Sequence, residues 1–146
     1  MRKRIALAFL LLVILNLNAV RAQVITGDSI FESLSSEAGN PVRGRAIVAS
    51  RQTGLCLLCH SGPFPEERFQ GNLAPELKAS VARLNAPQLR ARIVNAAHFN
   101  PQTIMPAYYQ TSHLNRVAPK FVGQNILSGQ EIEDVVAFLM TLNNQN

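Results

Sequence analysis

The stretch Cys56-Leu57-Leu58-Cys59-His60 holds both cysteines of the 146-residue chain. Two thiols in a C-x-x-C spacing can form a disulfide, work as a redox dithiol, bind zinc, or add across the vinyl groups of a haem. The residue after the second cysteine decides between these uses, because C-x-x-C-H is the signature of c-type haem attachment. The stretch therefore predicts a covalent haem on Cys56 and Cys59, with His60 as an iron ligand.

Two other uses of the motif lack support elsewhere in the sequence. A structural zinc site needs about four protein ligands. The remaining histidines, His98 and His113, stand fifteen positions apart and do not form a second ligand pair. A thioredoxin-like dithiol is expected near alternating strands and helices, and no segment reads as strand-rich. Haem attachment is therefore the favoured interpretation.

The first 22 residues have the layout of a secretory signal peptide. Residues 2–4 are basic, residues 5–15 form an apolar run, and small residues precede a cleavage point after Ala22. A retained membrane anchor is the alternative, but the run is short for a bilayer span, which needs about 20 residues. We therefore expect export, removal of residues 1–22, and no membrane span in the mature chain.

Loss of the signal peptide changes the charge of the chain. The full sequence has 14 Lys and Arg against 9 Asp and Glu, which gives a net charge of +5. Four of the basic residues lie within residues 1–22, so the mature chain has ten against nine, a net charge of +1. No basic stripe interleaved with aromatic residues remains. This argues against a nucleic-acid partner.

The mature chain is predicted to be all-α, without βα alternation. Residues 23–40 are mixed and polar, with a short amphipathic piece around residues 30–34, and we read them as an N-terminal extension. The domain proper covers residues 41–146. Its predicted helices cover residues 41–52, residues 75–84, a segment from an N-cap at Asn85 to about Asn100, and the C-terminal segment.

The last of these helices has the clearest pattern. Ser128 and Glu131 form a capping box at its start. The apolar residues that follow recur at helical spacing and predict one buried face: Ile132, Val135, Val136, Leu139 and Met140. This helix is expected to be a main element of the core.

A second axial ligand is expected, because haem iron in electron-transfer proteins generally takes Met or His in that position. Met140 lies on the apolar face of the last helix, where a core role is favoured. His98 stands at a helix end and His113 in a polar stretch. Met105 precedes a proline that biases it away from helical backbone, within a long irregular segment of the kind that is often functional. Met105 is the favoured ligand, although simple packing of a loop methionine stays open.

The predicted ligand His60 also needs a hydrogen-bond partner. A ligating histidine usually donates its other ring N–H to a carbonyl or a carboxylate. The backbone carbonyl of Pro75 is one candidate. The opposite interpretation, that Pro75 only begins a helix, has about equal support from the spacing.

From about Gly44 to the C-terminus the chain resembles SoxX, the monohaem c-type cytochrome subunit of the sulfur-oxidising SoxAX complex. The similarity is carried by residues 44–46, 56–66, 71–77, 100–109 and 127–139, of which the Met-Pro-Ala-Tyr-Tyr run and the haem motif are the most specific.

This resemblance implies a class I cytochrome c-like domain wrapped around one covalent haem c. Cys56 and Cys59 would hold the haem, His60 and Met105 would be the axial ligands, and Pro75 would orient His60. A close crossing of the first and last helices at Gly44 and Phe138 is implied as well.

The resemblance also implies a function. In that family the complex joins thiosulfate oxidatively to a cysteine of the SoxYZ carrier protein, at a cysteine-ligated haem of SoxA, and the SoxX haem passes electrons to another cytochrome. We therefore expect a periplasmic, non-catalytic, electron-accepting subunit of an L-cysteine S-thiosulfotransferase. Its expected partners are a SoxA-type subunit in a heterodimer, a SoxYZ-type carrier and a downstream cytochrome c.

Two other functions remain open. The first alternative is a free-standing soluble monohaem electron carrier. Such carriers commonly use a ring of lysines to steer their partners, whereas only Lys78 and Lys120 remain in the mature chain. The second is a haem sensor, which needs an open sixth position on the iron, and Met105 argues against it.

Overall fold

A computed structural model describes residues 24–143, so the predicted signal peptide of residues 1–22 lies outside the described residues. The described part contains four α-helices, which we label α1 (Pro41–Ala49), α2 (Leu77–Val81), α3 (Ala86–Val94) and α4 (Gly129–Asn143). Three short 3-10 helices lie between them: Cys56–Leu58, Ala96–His98 and Pro119–Phe121. Within residues 24–143 there is no strand, apart from one isolated bridge between Thr26 and Ser29. The prediction of an all-α chain is confirmed.

Two helix starts follow the predicted capping chemistry. At α3, the Asn85 side chain accepts a hydrogen bond from the Gln88 N–H, and the Gln88 side chain accepts one from the Asn85 N–H, both at 3.0 Å. At α4, Glu131 Oε2 accepts from the Ser128 N–H at 2.7 Å, and Ser128 Oγ accepts from the Glu131 N–H at 3.3 Å. Each box satisfies N–H groups that have no partner inside the helix.

Three predicted helix ends are too late. α1 ends at Ala49 instead of residue 52, because Ser50 takes an extended conformation and its hydroxyl accepts the N–H of Thr53 at 3.0 Å. Such local side-chain bonds compete with the helical ladder. α3 ends at Val94, since Asn95 leaves the helical region at φ −153° and ψ 87°, and a separate 3-10 helix follows. α2 is likewise shorter than the predicted residues 75–84.

The expected amphipathic piece at residues 30–34 is not a helix. The carbonyl oxygen of Ile30 accepts a hydrogen bond from Arg90 Nη1 at 2.7 Å, and the N–H of Leu34 donates to Glu133 Oε1 at 2.9 Å. Ile30 itself is buried in the core. Backbone groups that a helix would use are therefore taken by side chains of α3 and α4.

The closest approach of two helices is between α1 and α4. A Cβ atom at Gly44 would overlap the carbonyl oxygen of Asp134 and would stand 2.9 Å from Phe138 Cβ. Only glycine allows the two backbones to come so close. The crossing implied by the family resemblance is therefore present.

The core is built largely on α4. The apolar face predicted for this helix is buried, with Met140 packed half-buried at its edge. Phe138 meets Phe64 with ring centroids 5.7 Å apart. None of the helices in residues 24–143 is long and apolar enough to cross a bilayer.

Two adjacent carboxylates on α4 hold the segment of residues 24–40 against the domain. Buried Arg90 binds buried Glu133 through two hydrogen bonds of 2.7 and 2.8 Å. The next residue, Asp134, accepts bonds from the Asn40 N–H at 2.7 Å and from Arg43 Nε at 2.6 Å. Burial alone raises the pKa of Glu133, but the hydrogen bonds from Arg90 and from the Leu34 N–H outweigh it, and the pKa lies below its ordinary value.

We predict that Glu133→Gln lowers the free energy of unfolding of the haem-loaded chain by about 3 kcal/mol, because it leaves the buried Arg90 guanidinium uncompensated. The lowered pKa also gives a sign for the pH dependence. The contribution of Glu133 is complete above its unfolded pKa of about 4.3 and is lost as the pH falls through the folded value.

Chemical denaturation followed at several pH values between about 3 and 7 tests this prediction. Wild type should lose stability more steeply than Glu133→Gln below about pH 4.5. Glu32→Gln, a change at an exposed glutamate of the same segment, is the control and should match wild type. Equal pH slopes for wild type and Glu133→Gln would contradict the prediction.

Candidate haem site

One cavity of about 590 Å³ brings together residues from distant parts of the sequence. Cys56, Cys59, His60, Pro75 and Met105 all line it. Its volume falls within the range of about 300–1,000 Å³ that is usual for cofactor and ligand sites. Every residue that the sequence analysis assigned to the site therefore faces the same space.

The cavity wall is mainly apolar, and each of the four helices contributes to it. Its helical apolar residues are Val48 from α1, Leu77 from α2, Ile93 from α3, and Val135 and Leu139 from α4.

Apart from the predicted haem residues, the polar side chains that line the cavity all belong to the segment around Met105: Asn100, Gln102, Thr103 and Tyr108. An apolar space with thiols and an imidazole along its wall fits a haem, whose ring is apolar and whose iron takes nitrogen or sulfur ligands.

The turn that carries the two cysteines is fixed by its backbone. Leu55 adopts a left-handed conformation (φ 61°), and its N–H donates to the Ser50 carbonyl at 3.0 Å. A short 3-10 turn follows, in which the Cys56 carbonyl accepts the N–H groups of Cys59 at 3.1 Å and His60 at 2.9 Å. This tight turn explains how both thiols and the imidazole reach one cavity.

His60 has a defined orientation. Its Nδ1 atom lies 2.6 Å from the carbonyl oxygen of Pro75. Since a carbonyl can only accept, Nδ1 is the donor in this contact, which leaves Nε2 as the ring nitrogen that could bind a metal. The spacing in the sequence did not decide whether His60 bonds to the Pro75 carbonyl, and in the structure this hydrogen bond is present. The roles of His60 as an iron ligand and of Pro75 as its support stay predictions.

Of the four residues considered as second ligand, Met105 alone lines the cavity. It is half-buried in a turn where its N–H donates to Thr103 Oγ1 at 3.1 Å. His98 is exposed and stacks edge-on against Phe99, and His113 is exposed in the following loop. Met140 packs against the core on α4.

Tyr108 is a residue whose role the sequence did not reveal. Its side chain is buried, and its hydroxyl donates to the Gly54 carbonyl at 2.6 Å. Burial raises the pKa of this phenol, and burial also raises the pKa of the Cys56 thiol to about 11. Both groups are therefore neutral at physiological pH. The Met-Pro-Ala-Tyr-Tyr run helped to carry the family resemblance, but it gave no partner for the Tyr108 hydroxyl, so only the fold shows this contact.

Comparison with known proteins agrees with this geometry. The four helices and the absence of strands in residues 24–143 are consistent with a cytochrome c-like fold. No family model and no curated protein sequence matches the chain. A chain in the crystal structure of SoxXA from P. pantotrophus matches with a TM-score of 0.75 and 35% sequence identity, over 82% of this chain and 93% of that chain.

The chain therefore belongs to the SoxX family. This membership implies a c-type haem, and the two cysteines and histidine at positions 56, 59 and 60 fit its attachment.

Covalent attachment can be tested by replacing the two thiols. We predict that wild type exported in a host able to attach haem keeps its haem after denaturation and acid extraction, because thioether bonds survive both. The double variant Cys56→Ser/Cys59→Ser should release all of it. Leu58→Ser, which changes the same turn but neither thiol, should behave as wild type. Haem that stays bound to the double variant would contradict the prediction.

Proposed function

We propose that this chain is the electron-transfer haem subunit of a periplasmic thiosulfate-oxidising complex of the L-cysteine S-thiosulfotransferase type. It accepts electrons released when thiosulfate is joined to the cysteine of a carrier protein. The observation that carries this proposal is the convergence of Cys56, Cys59, His60 and Met105 on one apolar cavity. The similarity to a SoxXA chain supports the choice of complex.

The residues of the cavity divide the work of holding one haem c. Cys56 and Cys59 would bind it covalently as thioethers, and His60 Nε2 and the Met105 thioether sulfur would be the ligands of its iron. When bound, the haem supplies a one-electron couple, which a Met ligand shifts to higher potential than a second His would. The apolar walls limit access of water, and the Pro75 carbonyl keeps the imidazole in one tautomer.

The same residues argue against a direct role in sulfur transfer. Both cysteines of the chain lie in the haem motif, so haem attachment would leave no free thiol to carry a sulfur intermediate. With His60 and Met105 as ligands, the iron would have no open position for a substrate. We therefore assign the sulfur chemistry to a SoxA-type partner in a heterodimer, with a SoxYZ-type carrier and a downstream cytochrome c as further partners.

The charge of the chain favours a stable partner. A diffusing carrier commonly relies on charged steering groups, often a ring of lysines. Residues 23–146 contain only two lysines, Lys78 and Lys120. Their scarcity favours an electron-accepting subunit over the alternative, a free-standing monohaem carrier.

The proposed iron ligand gives a spectroscopic prediction. Met105→Ala should remove the weak far-red absorption band of methionine bound to ferric haem and lower the reduction potential, because the thioether is lost. Met140→Ala is the matched control, since that methionine packs on α4 away from the cavity. It should keep the band. A band that survives in Met105→Ala would assign the ligand to another residue.

The proposed complex gives a prediction about association. The chain isolated from its native host at moderate salt should carry a second haem-bearing subunit with it.

The amount of partner recovered, together with titration of the separated subunits, measures how tightly the two subunits associate. Recovery of the chain as a lone monomer, with a haem that thiosulfate and carrier protein fail to reduce in the presence of the partner, would contradict the proposal and favour a free-standing carrier.

A further inference from the structure

We infer that Tyr108 is a positioning residue for Met105, and that its buried hydroxyl ties the loop carrying the methionine to the turn that leads into Cys56. This inference rests on the proposed function, because it takes Met105 to be a ligand of the haem iron. It concerns a side chain that does not itself bind the iron.

The contact joins the two halves of the proposed haem site. The Tyr108 hydroxyl donates to the Gly54 carbonyl at 2.6 Å across 54 positions of sequence. The Tyr108 residue is only 4% exposed and Gly54 is buried, so water does not compete for the bond. A hydrogen bond in such surroundings is stronger than in water, and its loss leaves an acceptor without a partner.

The backbone of Tyr108 holds its end of the contact in place. Its N–H donates to the Ile93 carbonyl at 3.2 Å, and its own carbonyl accepts the N–H groups of Ile126 at 3.0 Å and Leu127 at 3.2 Å. These bonds anchor the residue to the end of α3 and to the segment before α4. Met105 lies three residues earlier, so its position follows that of Tyr108.

The other end of the contact is a strained turn. Leu55 has a φ of 61°, a region that a bulky side chain rarely adopts. The peptide unit between Gly54 and Leu55 is held on both sides, because Tyr108 binds its carbonyl and the Ser50 carbonyl binds its N–H at 3.0 Å. The Cys56 thiol also donates to the Gly54 carbonyl at 3.3 Å. A thioether has no proton, so in the haem-bound chain Tyr108 would be the one side chain within residues 24–143 that still donates to the Gly54 carbonyl.

Tyr108 therefore links the position of Met105 to the position of the turn that leads into Cys56. Without its hydroxyl, the methionine loop should separate from the haem more often. A small ligand that replaces methionine on ferric iron measures this opening directly, because its apparent affinity rises in proportion to the open population. Imidazole is a suitable probe.

Imidazole binding to the ferric, haem-loaded chain, followed by loss of the far-red methionine band, tests the inference. Tyr108→Phe should bind imidazole about three- to tenfold more tightly than wild type, the range expected for one hydrogen bond. Tyr109→Phe is the matched control, since no hydrogen bond of the Tyr109 hydroxyl is seen within the described residues. It should bind as wild type does. Glu133→Gln, which weakens the fold away from this loop, should also leave imidazole affinity unchanged.

The outcomes separate this inference from the proposed ligand. If Met105→Ala keeps the band, the ligand assignment fails. If the band depends on Met105 but Tyr108→Phe and wild type bind imidazole equally, only the role of Tyr108 is overturned. Should Tyr108→Phe yield no haem-loaded protein, proton NMR of the reduced wild type decides: slow solvent exchange of the Tyr108 phenolic proton supports the contact, and immediate exchange overturns it.

Discussion

The close crossing of α1 and α4 is the constraint on which the rest of the structure depends. Because residue 44 is glycine, the backbone of α1 lies directly against the carbonyl oxygen of Asp134. The crossing sets Val48 of α1 and Val135 and Leu139 of α4 around one cavity. A side chain at position 44 would push the helices apart and change the shape of the space they enclose.

Different sides of α4 contact parts of the protein with different chemistry. Its apolar face lines the cavity and the core, whereas Glu133 and Asp134 turn to the segment before α1. That segment has no helical ladder, so its N–H groups and carbonyls need other partners. The two carboxylates and Arg90 provide them. A buried ion pair often adds little net stability compared with apolar packing. Here its residues also form hydrogen bonds with backbone groups of residues 24–40, which lie outside regular secondary structure.

The haem site is assembled from segments that are far apart in sequence and are each held by their own backbone contacts. The attachment turn depends on the strained Leu55 peptide, the imidazole on the Pro75 carbonyl, and the methionine loop on the bonds of Tyr108. Such separate supports suit the proposed electron-transfer role, because ligand residues that hardly move between oxidation states would keep the reorganisation of the site small. Substrate binding would instead need an open position.

Local chemistry was readable from the sequence. C-x-x-C-H defines its own turn, and the boxes at Asn85 and Ser128 start helices because their partners lie only three residues away. The spacing of apolar and capping residues predicted the all-α fold class, and the family resemblance added the cytochrome c-like domain and the α1–α4 crossing. Contacts across long sequence separations were decided only by the tertiary structure. The sequence supported two roles for Pro75 equally, and only the fold places its carbonyl beside His60. Residues 30–34 do not form the expected helix, because Arg90 and Glu133 bind their backbone groups. The hydrogen bond between the Tyr108 hydroxyl and the Gly54 carbonyl likewise joins segments that are 54 positions apart in the sequence. A capping residue carries its partner beside it in the chain, whereas a buried side chain meets whichever group the completed core brings within reach.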